Sequence, residues 1–230
     1  MFSERSTGLR GEKMREMTII LASGSPRRLQ LLQQIGLDPI VIPSRKEEHP
    51  SAKEPAEIVK ELSIQKALDI ADQVLCYWKE HYGSLLADAG FDGAGKGGSP
   101  QGDTVVIGSD TVVAVEGIVL GKPKTHAQAA DMIRAIQGRT HSVFTGVTLI
   151  RLPDKKTVTF AEETKVQVFP MTDEEIAAYA SSDEPMDKAG AYGIQGPFAA
   201  YIGKIEGEYN TVVGLPVGHL YRELKKLMQS

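Results

Sequence analysis

The chain opens its patterned region with an uninterrupted apolar run, Thr18-Ile-Ile-Leu-Ala22, which predicts a strand covered on both faces. Ser23-Gly-Ser-Pro26 breaks that run. From Pro26 to Ile35 the apolar positions Leu29, Leu32 and Ile35 share one helical face, and Gly36 supplies a stop. Pro39 to Pro43 reads as a second short strand, followed by a charged loop over 44–52. Glu54 to about Trp78 reads as a long amphipathic helix. A strand resumes at Thr104-Val-Val-Ile107, and Val112–Val115 and Ile118–Leu120 form a hairpin about Glu116-Gly117. His126–Gln137 is a helix ended by Gly138. Two long β runs follow, Ser142–Leu152 and Thr157–Val168, joined by a Pro153-Asp-Lys turn. Thr172-Asp-Glu-Glu175 has the spacing of a capping box. Two further strands flank Glu206-Gly207, the second running through Tyr209–Val213, and Pro216 opens a last helix to Met228. With no internal repeat, the pattern predicts an α/β fold: one domain over residues 17–230, built on a mixed sheet.

Two stretches stand outside that pattern. Residues 1–16 are polar and mixed in charge, and are expected to form a disordered leader without the apolar core of a signal peptide. Residues 83–102 include GFDGAGKGGSPQG and are expected to form a flexible insertion. The glycine spacing there does not make a phosphate-binding GxxxxGK[ST] loop.

At 230 residues, 41% hydrophobic and 24% charged, the chain has the composition of a globular protein with a true core. A net charge of −4 excludes general nucleic-acid binding, so any polyanion has to be met by a local basic pocket. No apolar run approaches the ~18 residues of a membrane helix. The single cysteine, Cys76, allows no internal disulfide and fits a reducing compartment; its apolar helical setting predicts burial.

Chemistry concentrates in a few segments. In Ser23-Gly-Ser-Pro-Arg-Arg28 a strand ends and a helix begins, with Ser25 at the N-cap and Pro26 at N1. Free N–H groups and the positive dipole end at such a turn favour an anion, phosphate above all. Arg27 and Arg28 oppose that dipole, which points to a use in bidentate phosphate contact; the plain alternative is a good cap with two solvated arginines. Asp110, in Gly108-Ser-Asp-Thr111, falls at the expected carboxyl end of a buried strand, where α/β folds place ligands. It is a candidate for holding a divalent metal or taking a proton from water, against the alternative of a turn-forming aspartate. Lys122 projects from Gly121-Lys-Pro123, and Lys66 sits among Leu62, Ala67 and Ile70 on the long helix; alone, each reads as a solvated or snorkelling lysine. Glu47 and Glu48 read alone as loop charge. Asp187-Lys-Ala-Gly-Ala-Tyr-Gly-Ile-Gln-Gly196 has no clear period, and its glycines allow close backbone approach to a ligand. Gln195 there offers a donor and an acceptor, suited to the imide edge of a base. No histidine pair has zinc-ligand spacing and no GxSxG elbow occurs. Together these groups describe a site for an anionic ligand and for metal-assisted attack on a phosphoryl group.

In order, SGSPRR (23–28), GSDTVV (108–113), GKP (121–123), HSVFTGV (141–147), DKAGAYGIQG (187–196) and NTVVGLP (210–216) resemble the motifs of the Maf family of nucleoside triphosphate pyrophosphatases, over about residues 18–228. That resemblance implies an elongated mixed sheet flanked by helices, two lobes around a cleft, and a homodimer. It implies hydrolysis of a nucleoside triphosphate to the monophosphate and pyrophosphate in the cytoplasm, for cleaning nucleotide pools. The form of the 187–196 segment implies the dTTP and UTP branch, with modified uridine triphosphates as further substrates. Position by position, the resemblance implies Asp110 as general base and Glu48 with Asp110 as ligands of Mg²⁺ or another divalent ion, Glu47 being the register alternative. It implies Arg28, Lys66 and Lys122 on the triphosphate and Gln195 on the substrate. Ser23, Ser25 and Arg27 complete the phosphate loop, and Thr111 and Lys188 join the substrate-binding set. Two rivals are sugar nucleotidyltransferases, whose LAxGxGxR opening LASGSPRR resembles, and a non-catalytic nucleotide-binding regulator.

Overall fold

The computed structural model describes residues 17–80 and 104–229; the expected leader and the 83–102 insertion lie outside them. Strand β1 (Thr18–Leu21) pairs in parallel with β2 (Ile40–Val41) on one side and with β3 (Thr104–Val115) on the other. Beyond β3 the sheet is antiparallel, through β5 (Thr140–Leu152), β6 (Thr157–Val168) and β7 (Ile202–Glu206), giving the order β2-β1-β3-β5-β6-β7. Strand β4 (Ile118–Leu120) folds back on the end of β3 through Glu116 and Gly117, whose φ values of 50° and 80° give the left-handed turn a tight hairpin needs.

Alternation along the strands explains why the apolar runs have no polar face. Ile20, Val106, Ile150 and Leu152 pack with Ala67, Ile70, Ala71 and Val74 of the long helix α2 (Pro55–Glu80). Their neighbours Ile19, Leu21, Val105, Ile107 and Leu149 point to the opposite face. There they join the larger core with α1 (Pro26–Gln34), α3 (His126–Ile136), α4 (Asp173–Ala180) and α6 (Val217–Gln229). The α4 capping box forms as the sequence predicts, between Thr172 and Glu175.

Helix α2 lies unusually close to the sheet. A Cβ on Gly108 would run into the Ser63 carbonyl oxygen and lie 2.8 Å from the Ala67 nitrogen, and one on Gly146 would strike the Val59 carbonyl. Only glycine in β3 and β5 permits this approach.

Three expectations are corrected. The strand does not stop at Ile107: β3 runs unbroken through Gly108-Ser-Asp to Val115, because β5 pairs with it along that whole length. Residues Tyr209–Val213 are not a strand but a short helix, α5, ended at Gly214 with φ 125°. A five-residue run ending in three β-branched residues, Thr211 to Val213, does not separate the two possibilities by period. Cys76 is exposed rather than buried, since it falls on the outer side of α2.

Candidate active site

The site lies where the parallel part of the sheet ends. Ala22 N donates the last bond from this chain segment to Ile107 O at 2.8 Å, and the chain then turns away into α1. Strand β3 continues past that point, held on its other side by β5, with Asp110 opposite Gly146. The edge that β1 abandons is the floor of a cleft of about 650 Å³. One wall carries Ser23–Arg28, Glu48 and Lys66; the other carries Lys122 and parts of 184–196.

Strand alternation divides the chemistry. Asp110 is on the same face as Gly108, toward α2, where its Oδ1 accepts from Lys66 Nζ. The same ammonium lies 3.2 Å from Glu48 Oε1, and the Lys66 and Asp110 side chains are only 13% and 16% exposed. Lys66 therefore does more than snorkel: it joins the two carboxylates. Glu47, by contrast, points outward and meets His49 Nε2 at 3.5 Å, so Glu48 is the glutamate turned into the cleft.

Ser109 and Thr111 face the other way and anchor Arg28. The Arg28 Nε donates to Gly214 O at 2.9 Å, Nη1 to Ser23 Oγ at 2.9 Å, and Nη2 to Thr111 Oγ1 at 3.1 Å. Ser109 Oγ donates to the same Gly214 carbonyl at 3.2 Å. Thr145 donates to Thr211 O at 2.7 Å, so Thr111 supplies the proton in its 2.9 Å bond with Thr145. Burial lowers the Arg28 pKa, while Asp110 and Glu48 act in the opposite direction. The guanidinium keeps two N–H groups beyond these three bonds, so it is fixed in direction and still able to donate.

The remaining candidates are placed as follows. Ser25 occupies the N-cap of α1, but its side chain makes no capping bond; its N–H donates to Ser23 Oγ at 3.3 Å. Arg27 reaches across the cleft to Asp187 at 3.0 Å. Lys188 lines the cleft, with its ammonium held by Glu184 O at 2.6 Å and Asp187 Oδ1 at 2.7 Å. Burial raises the Asp187 pKa, but Lys188 and Arg27 outweigh it and hold the carboxyl below its usual range. Lys122 and Gln195 are both exposed and line the same cleft. Tyr192 also lines it, and its hydroxyl bonds His141 Nε2 at 2.8 Å. Burial alone pushes the His141 pKa down to about 4, and burial raises that of Tyr192.

Sequence reading missed two participants. The Gly214 carbonyl carries no side-chain signal. Glu184 lines the cleft with a buried carboxylate oxygen, yet in Asp183-Glu-Pro it reads as surface charge.

The carboxylates fit a hard cation in part. Glu48 and Asp110 converge on one point, now served by the Lys66 ammonium, and Mg²⁺ is commonly held by one or two carboxylates together with substrate phosphates. Among the described residues no group of three or more His, Cys, Asp or Glu side chains is placed to hold a metal. The protein thus offers two carboxylates, with the rest of the coordination left to phosphate oxygens and water.

A family model described as Maf-like protein matches residues 18–227. The chain belongs to the Maf family. The dTTP/UTP pyrophosphatase of Agathobacter rectalis is 49% identical over 213 residues, covering 91% of this chain and 97% of that protein. Proteins of the same name from Carboxydothermus hydrogenoformans and Lachnoclostridium phytofermentans are 46% and 45% identical, over 91% and 90% of this chain and 98% and 94% of theirs. Among solved structures, the Ham1 protein of Staphylococcus aureus aligns at a TM-score of 0.37 and 12% identity, over 66% of this chain and 71% of that one, a likeness too slight to carry an argument. Among the described residues of this Maf chain, no helix is long and apolar enough to cross a membrane.

Proposed function

We propose that this chain hydrolyses dTTP and UTP to the monophosphate and pyrophosphate, with modified uridine triphosphates as further substrates. The observation that carries the reading is the convergence of Asp110, Glu48 and Lys66 beside a clamped Arg28, on the floor of one cleft. Members of the family named as dTTP/UTP pyrophosphatases support the substrate class.

The residues divide the work by position. Arg28, Arg27 and Lys122 bind the triphosphate, with Ser23 and Ser25 at the turn into α1. Arg27 and Lys188 are tied to Asp187 in the structure described here, so a bound phosphate competes for them. Asp110 orients a water and takes its proton as the oxygen attacks the α-phosphorus in line; the bond to the β-phosphate oxygen breaks and pyrophosphate leaves. Lys66 positions Asp110 and meets charge that builds on the phosphates. Glu48 and Asp110 would hold Mg²⁺, which would neutralise phosphate charge when bound. On the family resemblance, the reading includes a homodimer acting in the cytoplasm.

The test is pyrophosphate release from a panel of triphosphates with Mg²⁺ and water as sole acceptor. Release from dTTP and UTP, and loss of roughly 10²–10⁴-fold in kcat with Asp110→Asn in a folded protein, is the expected result. Near-normal turnover in that variant removes Asp110 as the base. Triphosphate binding without release by the wild type favours the regulator reading.

A further inference from the structure

Glu184 is placed in the cleft without an assigned task. Its Oε2 is buried and has no hydrogen-bond partner. Two cationic groups of the cleft lining are engaged elsewhere: Lys188 donates to the Glu184 backbone oxygen and to Asp187, and Arg27 donates to Asp187. The Tyr179 hydroxyl bonds the Glu184 side chain, but Oε2 keeps no donor of its own, and a buried acceptor so left is costly unless a ligand supplies the missing proton.

The surroundings narrow the kind of ligand. The Glu184 carboxylate lies against the backbone of Gly193 and Gly196. A Cβ on Gly193 would be 2.7 Å from Oε1; one on Gly196 would collide with Oε1 and lie 2.6 Å from Cδ. Behind this slot Tyr179, Tyr192 and Phe198 form an aromatic bed, with ring centroids 5.0 and 4.9 Å apart from Phe198. The Gly193 N–H donates to Tyr179 Oη at 3.2 Å and the Gly196 N–H to Gly193 O at 3.3 Å, so neither backbone donor is offered to the carboxylate. Unlike Glu48 and Asp110, which share the Lys66 ammonium, Glu184 has neither Lys188 nor Arg27 on its carboxylate, so this part of the lining suits an uncharged base better than phosphate. Gln195, between the two glycines, adds an exposed amide on the same lining.

We infer that Glu184 reads the base, accepting the N3–H of uracil or thymine while the Gln195 amide serves a flanking carbonyl. This deepens the proposed reaction and rests on it. Uracil and thymine both carry a hydrogen at N3. Cytosine carries a lone pair there, which a carboxylate repels, so one contact both accepts dTTP and UTP and rejects CTP. Gly193 and Gly196 are the positions that leave the carboxylate room.

The experiment couples a substrate change to a residue change. Steady-state kinetics on UTP, N3-methyl-UTP, 3′-deoxy-UTP and CTP are compared for wild type, Glu184→Ala and Glu184→Gln, with folding checked by thermal melting. Wild type is expected to lose roughly 10–100-fold in kcat/KM when N3 is methylated, mostly through KM. Glu184→Ala is expected to be low on UTP and indifferent to the methyl group. Glu184→Gln, whose amide can donate to a lone pair, is expected to lower the UTP/CTP preference. An equal methyl penalty in wild type and Glu184→Ala overturns the inference, as does coupling to the 3′-hydroxyl in place of N3. Calorimetric binding of α,β-methylene-UTP and its N3-methyl form, run alongside, separates the two failures. Coupled binding without turnover refutes the reaction alone. Turnover without coupling refutes the base contact alone. Absence of both binding and turnover overturns both.

Discussion

Gly108→Ala tests how the sheet sets the site. The new methyl would meet the Ser63 carbonyl oxygen head on and sit 2.8 and 2.9 Å from Ala67 N and Cβ, where ordinary contact begins near 3.4 Å. Relieving the Ala67 Cβ contact alone needs a retreat of half an ångström, and the carbonyl demands more. Backbone atoms on both sides cannot rotate away, so helix α2 has to move as a body. Lys66 moves with it, because it lies between Ser63 and Ala67 on the same turn and bonds Asp110, two residues along β3. Overpacking of this kind costs about 1–3 kcal/mol, which for a chain of this size lowers Tm by roughly 2–12 °C. A misplacement approaching ~1 Å between groups that act together costs on the order of 10²-fold in rate. The expected result is a modest loss of Tm with a loss of roughly 10²-fold in kcat for UTP. Gly117→Ala is the control: its φ of 80° strains an alanine, yet nothing lies within 4 Å of the added carbon. That variant should melt earlier with unchanged kcat. A folded Gly108→Ala protein that loses stability but keeps kcat within a few-fold would refute the claim that close helix packing positions the Lys66–Asp110 pair.

Two further outcomes follow from the same geometry. His141 is 2% exposed, and burial takes its pKa from 6.5 to about 4. The unfolded chain thus binds the proton first as pH falls, so stability is full above 6.5 and is lost between 6.5 and about 4, by ~3 kcal/mol if this group acts alone. Denaturant melts of wild type against His141→Gln across that range should converge toward acid; parallel curves would remove His141 as the cause. Arg28→Lys leaves one ammonium to serve Gly214 O, Ser23 Oγ and Thr111 Oγ1, which three guanidinium nitrogens now meet. A loss of roughly 10–100-fold in kcat/KM for UTP is expected; unchanged kinetics would show that the planar fork does not matter.

The layers and most of the element boundaries were legible in the periods of the chain. Two-sided apolar strands, a capping box, glycine stops and a hairpin turn are local signals with local physical causes, and they appear where the periods place them. The turn from β1 into α1 was legible for the same reason, since a strand end, an N-cap serine and a following proline are neighbours in the chain. The rest depended on contacts between segments distant in the chain. Asp110 lies mid-strand because β5 continues to pair with β3 after β1 has left, which is a matter of unequal strand lengths far apart in sequence. The path of Tyr209–Val213 was ambiguous because a five-residue run is too short for its period to separate strand from helix, and packing over β5 and β6 chose the helix. Glu48 rather than Glu47 faces the cleft because only Glu48 reaches Lys66 from its loop. Glu184 was invisible because an acidic residue beside a proline reads as surface, and only the fold brings two glycines against its carboxylate. Periods report what a residue's own element needs, whereas meetings between elements depend on where each strand ends and how closely each helix lies.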